Sequence, residues 1–313
     1  MTEIPRPEIP RPATRRRFGA RFLRAGYPYF LLSPSLLVLL LVGVYPFVFM
    51  IVLSFRKLDF RRLGTAGDFI GLENYRALFD EPVFFSSLKT TAFIVFTSVP
   101  VELVLGFAMA YLFNRNFPLK RLAVTITIIP TVLAPIAIAV MWKILLATAW
   151  GFLMYNVFYR LGMFEDVSIF GSPGWALAAI IAIDVWEWTP FMFLVFMAGL
   201  GGLPQRPYEA AAVDGASAWQ TFWYLTLPLL SPFILVMLFI RLIDAFKIFD
   251  TIYVLTKGGP GVATESISIF AYRFNFEYWK LGESSALAVV IFLLFFAVFG
   301  FLFTQLQKRY RIF

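Results

Sequence analysis

Asp184 and Glu187 stand three residues apart in an otherwise apolar run, so on a helix their carboxyls share one face. Glu102 sits in a second apolar run, and Arg241, Asp244 and Lys247 recur about once per turn in a third. Carboxyls in such surroundings can relay protons, line a polar path for a solute, or tie helices together through hydrogen bonds. For Asp184 with Glu187 the path and the network both stand as readings. For Glu102 the network is the better one, because Thr97, Ser98 and a backbone loosened by Pro100 offer partners within its own helix. Arg241, Asp244 and Lys247 can pair with one another across single turns. The sequence has no His and no Cys, which removes histidine acid-base catalysis, thiolate chemistry, disulfides and Cys/His zinc sites.

The elements that must hold these groups follow from composition. Of 313 residues 60% are hydrophobic and only 15% charged, with 38 Phe, far outside the averages of soluble domains. The chain is therefore read as an all-α integral membrane protein. About 20 apolar residues cross the ~30 Å hydrocarbon core. Runs of that kind give six spans: Ala25 to Phe55, Thr90 to Phe113, Leu122 to Trp142, Trp175 to Leu200, Pro228 to Ala245 and Ser284 to Gln307. The first is too long for the apolar region of a signal peptide and lacks a small-residue cleavage site after it. A net charge of +8 does not point to nucleic acid, because the cations cluster beside the apolar runs. The segment to Tyr27 has seven Arg against two Glu, and Asn114 to Arg121 has three cations and no acid. Arg56 to Ser87 balances five against five and Lys143 to Pro173 two against two, so the positive-inside rule predicts that both termini are cytoplasmic. Residues 1–27, with Glu-Ile-Pro-Arg-Pro repeated at Glu3 and Glu8, read as a disordered basic tail anchored by Arg15 to Arg17.

On the same cytoplasmic side lies Pro207 to Pro228, which is neither a good span nor an ordinary loop. Pro207 suits a first helical turn, and Glu209 just after it is favoured by the positive end of the helix dipole. Ala210, Ala211 and Ala212 form helix without bulk, so another backbone can approach closely, and Asp214-Gly215 permits a left-handed turn. Ser217 can cap a second helix bearing Trp219, Phe222, Trp223 and Tyr224. The spacing predicts a helix, a turn and a helix along the membrane surface.

Glu209-Ala210-Ala211, three residues, Gly215, nine residues, then Leu225-Thr226-Leu227-Pro228 is similar to the EAA signature of permease subunits of binding-protein-dependent ABC importers, with Leu225 where isoleucine is common. "DVWEWTPFMFLVFMAGL" from Asp184, "RLIDAFKIFDTIYVLTKGGPG" from Arg241, "TESISIFAYRFNF" from Thr264 and "FIGLENYRALFD" from Phe69 resemble the carbohydrate branch of that family, its MalF/UgpA-type subunits. The resemblance runs from about Leu31 to Leu306. It implies the type I importer permease fold, with a permease domain over 28–313, a core over about 86–306 and a coupling loop over 201–228. It implies that Glu209, Ala210, Ala211, Asp214, Gly215, Leu227 and Pro228 couple the chain to an ATPase, with Glu209 in contact and Gly215 as the bend. It places Asp184, Glu187 and Trp188, then Asp244, Phe249 and Asp250, near the solute path, with Trp186 or Trp188 stacking on a sugar ring; a helix-end ion pair explains the second set almost as well.

The implied partners are a second and different permease subunit, two ATPase subunits, an extracytoplasmic solute-binding protein and membrane lipid, in a bacterial or archaeal cytoplasmic membrane. ATP and magnesium would belong to the ATPase subunits, since this chain needs no cofactor and contains no GxxxxGK[ST] phosphate loop. A proton-coupled carrier using Asp184, Glu187 and Glu102 is the alternative, but it leaves the EAA segment unexplained. An intramembrane enzyme fits less well, because two carboxyls on one helix make a poor catalytic centre. Sugar, polyol and glycerol phosphate all remain open as solutes.

Overall fold

The computed structural model describes residues 29–58, 67–164 and 167–310, with only the backbone at 302 and 305–310. The basic segment 1–27 lies outside the described residues. Among the described residues the chain is helical and contains no strand beyond one isolated bridge between Arg56 and Phe69.

Helix α1 spans Tyr29–Ser54. A short α2, Glu73–Asp80, leads to α3, Pro82–Phe113. The Glu81 carboxylate accepts from the Val83 N–H at 3.4 Å, and Pro82 occupies the first turn of α3, where its missing N–H costs nothing. Helices α4, Lys120–Val132, and α5, Pro135–Leu145, follow, then α6, Pro173–Gly201. Next come α7, Arg206–Val213, and α8, Ala218–Thr221, which runs through a π-helical turn into α9, Leu227–Phe246. The chain closes with α10, Asp250–Leu255, α11, Ile267–Tyr272, and α12, Leu281–Tyr310.

Among the described residues, five stretches are long and apolar enough to cross a membrane: α1, α3, α6, the run Ala218–Leu255 and Leu281–Phe301. The expected third span is bent. Over Leu122 to Trp142 the chain forms α4 and α5, which bend by 98° against each other. The cause is local: Leu133 and Ala134 are extended, and Pro135 disfavours helix at the residue before it while removing a backbone donor. The two helices are long and apolar enough to cross only when taken together, as a broken span or a re-entrant loop.

The long helices α3 and α6 form the central contact, and α9 lies against both. Their shared core contains Val99, Phe193, Phe196, Leu230 and Met237, all 1% exposed or less. At Gly106 a Cβ would lie 2.4 Å from that of Met192, so glycine sets the closeness of α3 and α6. Helix α1 contacts α12, with Phe47 edge-on to Phe292 at 4.8 Å, and leaves most of its apolar surface exposed. Only lipid or another subunit can cover such a surface. At the α1–α2 junction the buried Asn74 donates to the carbonyls of Ser54 and Arg56 at 2.8 and 2.9 Å, which turns the chain towards α3.

Candidate functional site

Arg241 is 1% exposed near the C-terminal end of an apolar helix, so its charge must be met from neighbouring helices. Its Nε donates to Glu102 Oε2 at 2.7 Å and its Nη2 to Glu102 Oε1 at 2.9 Å. The same Nη2 donates to Asp184 Oδ2 at 2.5 Å, and Nη1 to Asp244 Oδ2 at 3.3 Å. The guanidinium lies over the Trp188 ring, 4.9 Å from its centre, a cation–π arrangement. One side chain thus ties α3, α6 and α9 together.

This network corrects one sequence-based expectation and extends another. Glu102 is not held by the hydroxyls of its own helix: it pairs with Arg241, and the buried Ser98 hydroxyl has no hydrogen-bond partner. Arg241 does pair with Asp244 one turn on, but its shorter bonds cross to other helices. Spacing along one helix cannot reveal such partners. A single Arg in one apolar span, with one carboxyl in a second and two in a third, was the available signal, through the need for charge balance.

Beside the network lies a cavity of about 90 Å³. Asp184, Glu187, Trp188, Asp244, Phe249 and Asp250 all line it. The break between α9 and α10 brings Phe249 and Asp250 to the wall, and the bend before α5 brings Pro135 there. Arg241, Lys247 and Thr251 complete the polar lining, and spacing alone did not single out Thr251. Thr131 of α4 donates to the Glu187 carbonyl at 2.7 Å and so fixes α4 against α6 beside the cavity. Trp186 points elsewhere and meets Trp142 edge-on at 5.5 Å, which leaves Trp188 as the tryptophan of this wall.

Just beyond the cavity, at the same end of α9, Glu265 is buried and pairs with Arg273, whose Nη2 also donates to the Lys257 carbonyl at 2.7 Å. Burial pushes the Glu265 carboxyl above its usual range, against the pull of Arg273. Ser266 Oγ donates to the Ile248 carbonyl at 3.0 Å and accepts from the Ile269 N–H, so it caps α11 and braces the chain break.

The opposite end of α9, about 30 Å away at 1.5 Å per residue, carries α7 and α8. Glu209, Ala210 and Ala211 lie on α7, Asp214 follows its last turn, and Gly215 takes φ +73°. Ser217 Oγ accepts from the Gln220 N–H and Gln220 Oε1 from the Ser217 N–H, a reciprocal cap that starts α8. Tyr208 donates to Thr226 Oγ1 at 3.1 Å, which closes the elbow over the start of α9. An open groove of about 620 Å³ is bordered by Ala210, Ala211, Asp214 and Gly215 from one arm and by Tyr224 and Leu225 from the other. Glu209 is exposed outside that groove, and Leu227 and Pro228 sit at the base of α9 rather than on its rim. Val213 is 88% exposed and Tyr224 78%, so the elbow presents apolar surface that the described residues do not cover.

The profile of the family described as "Binding-protein-dependent transport system inner membrane component" matches residues 102–312. The sulfoquinovosyl glycerol transport system permease protein SmoG of Agrobacterium fabrum is 37% identical over 299 residues, 94% of this chain and 93% of that protein. The trehalose/maltose transport system permease protein MalF of Thermococcus litoralis is 38% identical over 244 residues, 78% of this chain and 81% of that protein. A crystal structure of a bacterial ABC transporter involved in the import of the acidic polysaccharide alginate superposes with TM-score 0.78 at 22% identity, over 92% of this chain and 98% of its counterpart. That likeness establishes the all-α fold of an importer permease.

Proposed function

The chain belongs to the family of binding-protein-dependent transport system inner membrane components, and from that premise we infer that it is the permease subunit of an ATP-driven importer of a sugar or related polyol. It is a transport component of a multi-pass membrane protein type, not an enzyme. The relative named for trehalose/maltose supports a carbohydrate solute.

The observation that carries the reading is the elbow. A helix pair hinged at Gly215, with Glu209 and Val213 exposed and a groove between its arms, is surface made for another protein. In the proposed mechanism two ATPase subunits bind ATP and magnesium, close, and push on α7 and α8, each at the cytoplasmic end of the chain. The push travels along α9 to the cavity, where Asp184, Glu187, Trp188, Asp244, Phe249 and Asp250 meet the solute. At about 90 Å³ the cavity holds a few waters, so a sugar ring enters only when the helices rearrange. A second, different permease subunit completes the path, and a loaded binding protein docks at the far end. The termini lie in the cytoplasm, and residues 1–27 act as a basic tail before a permease domain. A proton relay through Glu102 and Asp184 gains no support, because both carboxyls are bonded to Arg241.

Glu209→Lys tests the assignment. The variant inserts normally, since Glu209 is exposed and makes no contact on which the fold rests, yet loses at least about tenfold of receptor-stimulated ATP hydrolysis and uptake by the reconstituted complex, as expected for reversing a charge at a protein contact. Wild-type coupling in that variant removes the elbow from the mechanism.

A further inference from the structure

The cavity wall also distinguishes one class of solute from another. Arginine carries five N–H donors, and its planar fork is the usual protein group for seizing phosphate, sulfonate or carboxylate in two-point contact. Here the fork is spent. Four donations go to Glu102, Asp184 and Asp244, and Trp188 covers a face of the guanidinium. Lys247 is the remaining cation of the wall, and it stands among Glu187, Asp244 and Asp250. Among the described residues the side chains of Glu187 and Asp250 have no hydrogen-bond or ion-pair partner, although Glu187 is only 3% exposed. Both carboxyls face a small polar cavity as acceptors without donors, and for the buried Glu187 that state is penalised until a donor arrives. A solute rich in hydroxyls supplies those donors, and its CH faces fit against the rings of Trp188 and Phe249. An anionic group supplies none, meets like charge, and finds no free fork.

We propose that this permease, if it imports sugars as argued above, carries uncharged polyhydroxylated solutes and rejects phosphorylated, sulfonated and carboxylated ones, with Glu187 and Asp250 as the hydroxyl-accepting, specificity-determining residues. Arg241 serves as an internal counter-ion that keeps Asp184 and Asp244 in place and is withheld from the solute.

The test uses the complete transporter with its binding protein in proteoliposomes. Probes are neutral disaccharides and their 6-phosphates, with the binding protein's affinity for each measured separately. ATP-dependent uptake of the neutral sugars is expected to exceed that of an equally well received phosphate by at least about a hundredfold. Comparable uptake of the phosphate overturns the proposal while leaving the importer reading intact, whereas the absence of ATP-driven uptake of every sugar brings down that reading instead. A second arm does not depend on what the binding protein accepts. Asp250→Asn, at an exposed position, and Glu187→Gln each lower uptake of the transported sugar about tenfold at limiting concentration, and most of that loss is recovered at saturating concentration. Unchanged uptake in both variants also overturns it.

Discussion

Towards one end of α9 the chain buries Arg241 beneath three carboxylates; at the other it leaves Glu209, Val213 and Tyr224 in the open. Both regions are polar interruptions in an apolar protein, and they settle their polar groups in opposite ways. The network at Arg241 satisfies its cation within the chain across three helices, so that cation holds helices and is not available for new partners. The elbow has short helices, a reciprocal cap and one side-chain bond to the base of α9, so much of its surface is unspent. Where a membrane protein completes its own hydrogen bonds, the residues fix an arrangement; where it leaves surface uncovered, they await another molecule.

Removing the centre of the self-satisfied region should have the largest effect. Arg241→Met leaves Glu102 and Asp184 buried without their cation, and breaking a buried ion pair by deleting one partner costs about 3–5 kcal/mol. Thermal unfolding of the detergent-purified protein measures this. The triple change Glu102→Gln, Asp184→Asn, Arg241→Met removes the stranded charges and recovers most of the loss. A single Arg241→Met with wild-type stability would mean that the network does not hold α3, α6 and α9 together.

The two regions also differ in how far sequence reasoning reached. The elbow was legible almost residue by residue, because caps, a Gly at a left-handed turn and a Pro in a first turn act over three or four positions. Asp184, Glu187 and Trp188 could be placed on a shared face by spacing, and the structure gathers them with Asp244, Phe249 and Asp250 around one cavity. Their partners were another matter. Glu102 and Arg241 lie 139 residues apart, and local pattern carries no information about contacts at that distance. The bend at Ala134 was written in the sequence as Pro130 and Pro135, but an apolar count treats proline as one more uncharged residue and so reads a straight span.

A smaller effect sharpens the comparison at the contact that keeps α3 against α6. In Gly106→Ala the new Cβ meets Met192 Cβ at 2.4 Å and the Phe193 nitrogen at 2.9 Å, and neither is the free end of a flexible side chain. The helices must part, at about 1–3 kcal/mol for overpacking. The loss should appear as lowered thermal stability, and because α3 and α6 carry Glu102 and Asp184, as weakened coupling in a double-mutant cycle with Arg241→Met. Strictly additive losses would separate the helix contact from the network.

The least disruptive change falls at the elbow. Gly215 holds φ +73°, and a Cβ there would have no atom within 4 Å, so Gly215→Ala introduces backbone strain and no clash. A left-handed residue with a Cβ costs about 1–2 kcal/mol, but only if the turn is kept. An exposed elbow can relax by opening, whereas the core shared by α3, α6 and α9 cannot, so the melting temperature should stay within about 2 °C of wild type. ATP hydrolysis stimulated by the binding protein should nevertheless fall severalfold, because a relaxed elbow no longer presents Glu209 at a fixed angle to α9. A melting temperature lowered as far as in Gly106→Ala would instead place Gly215 within the structural core, and the contrast between a self-satisfied network and an uncommitted elbow would fail at its second term.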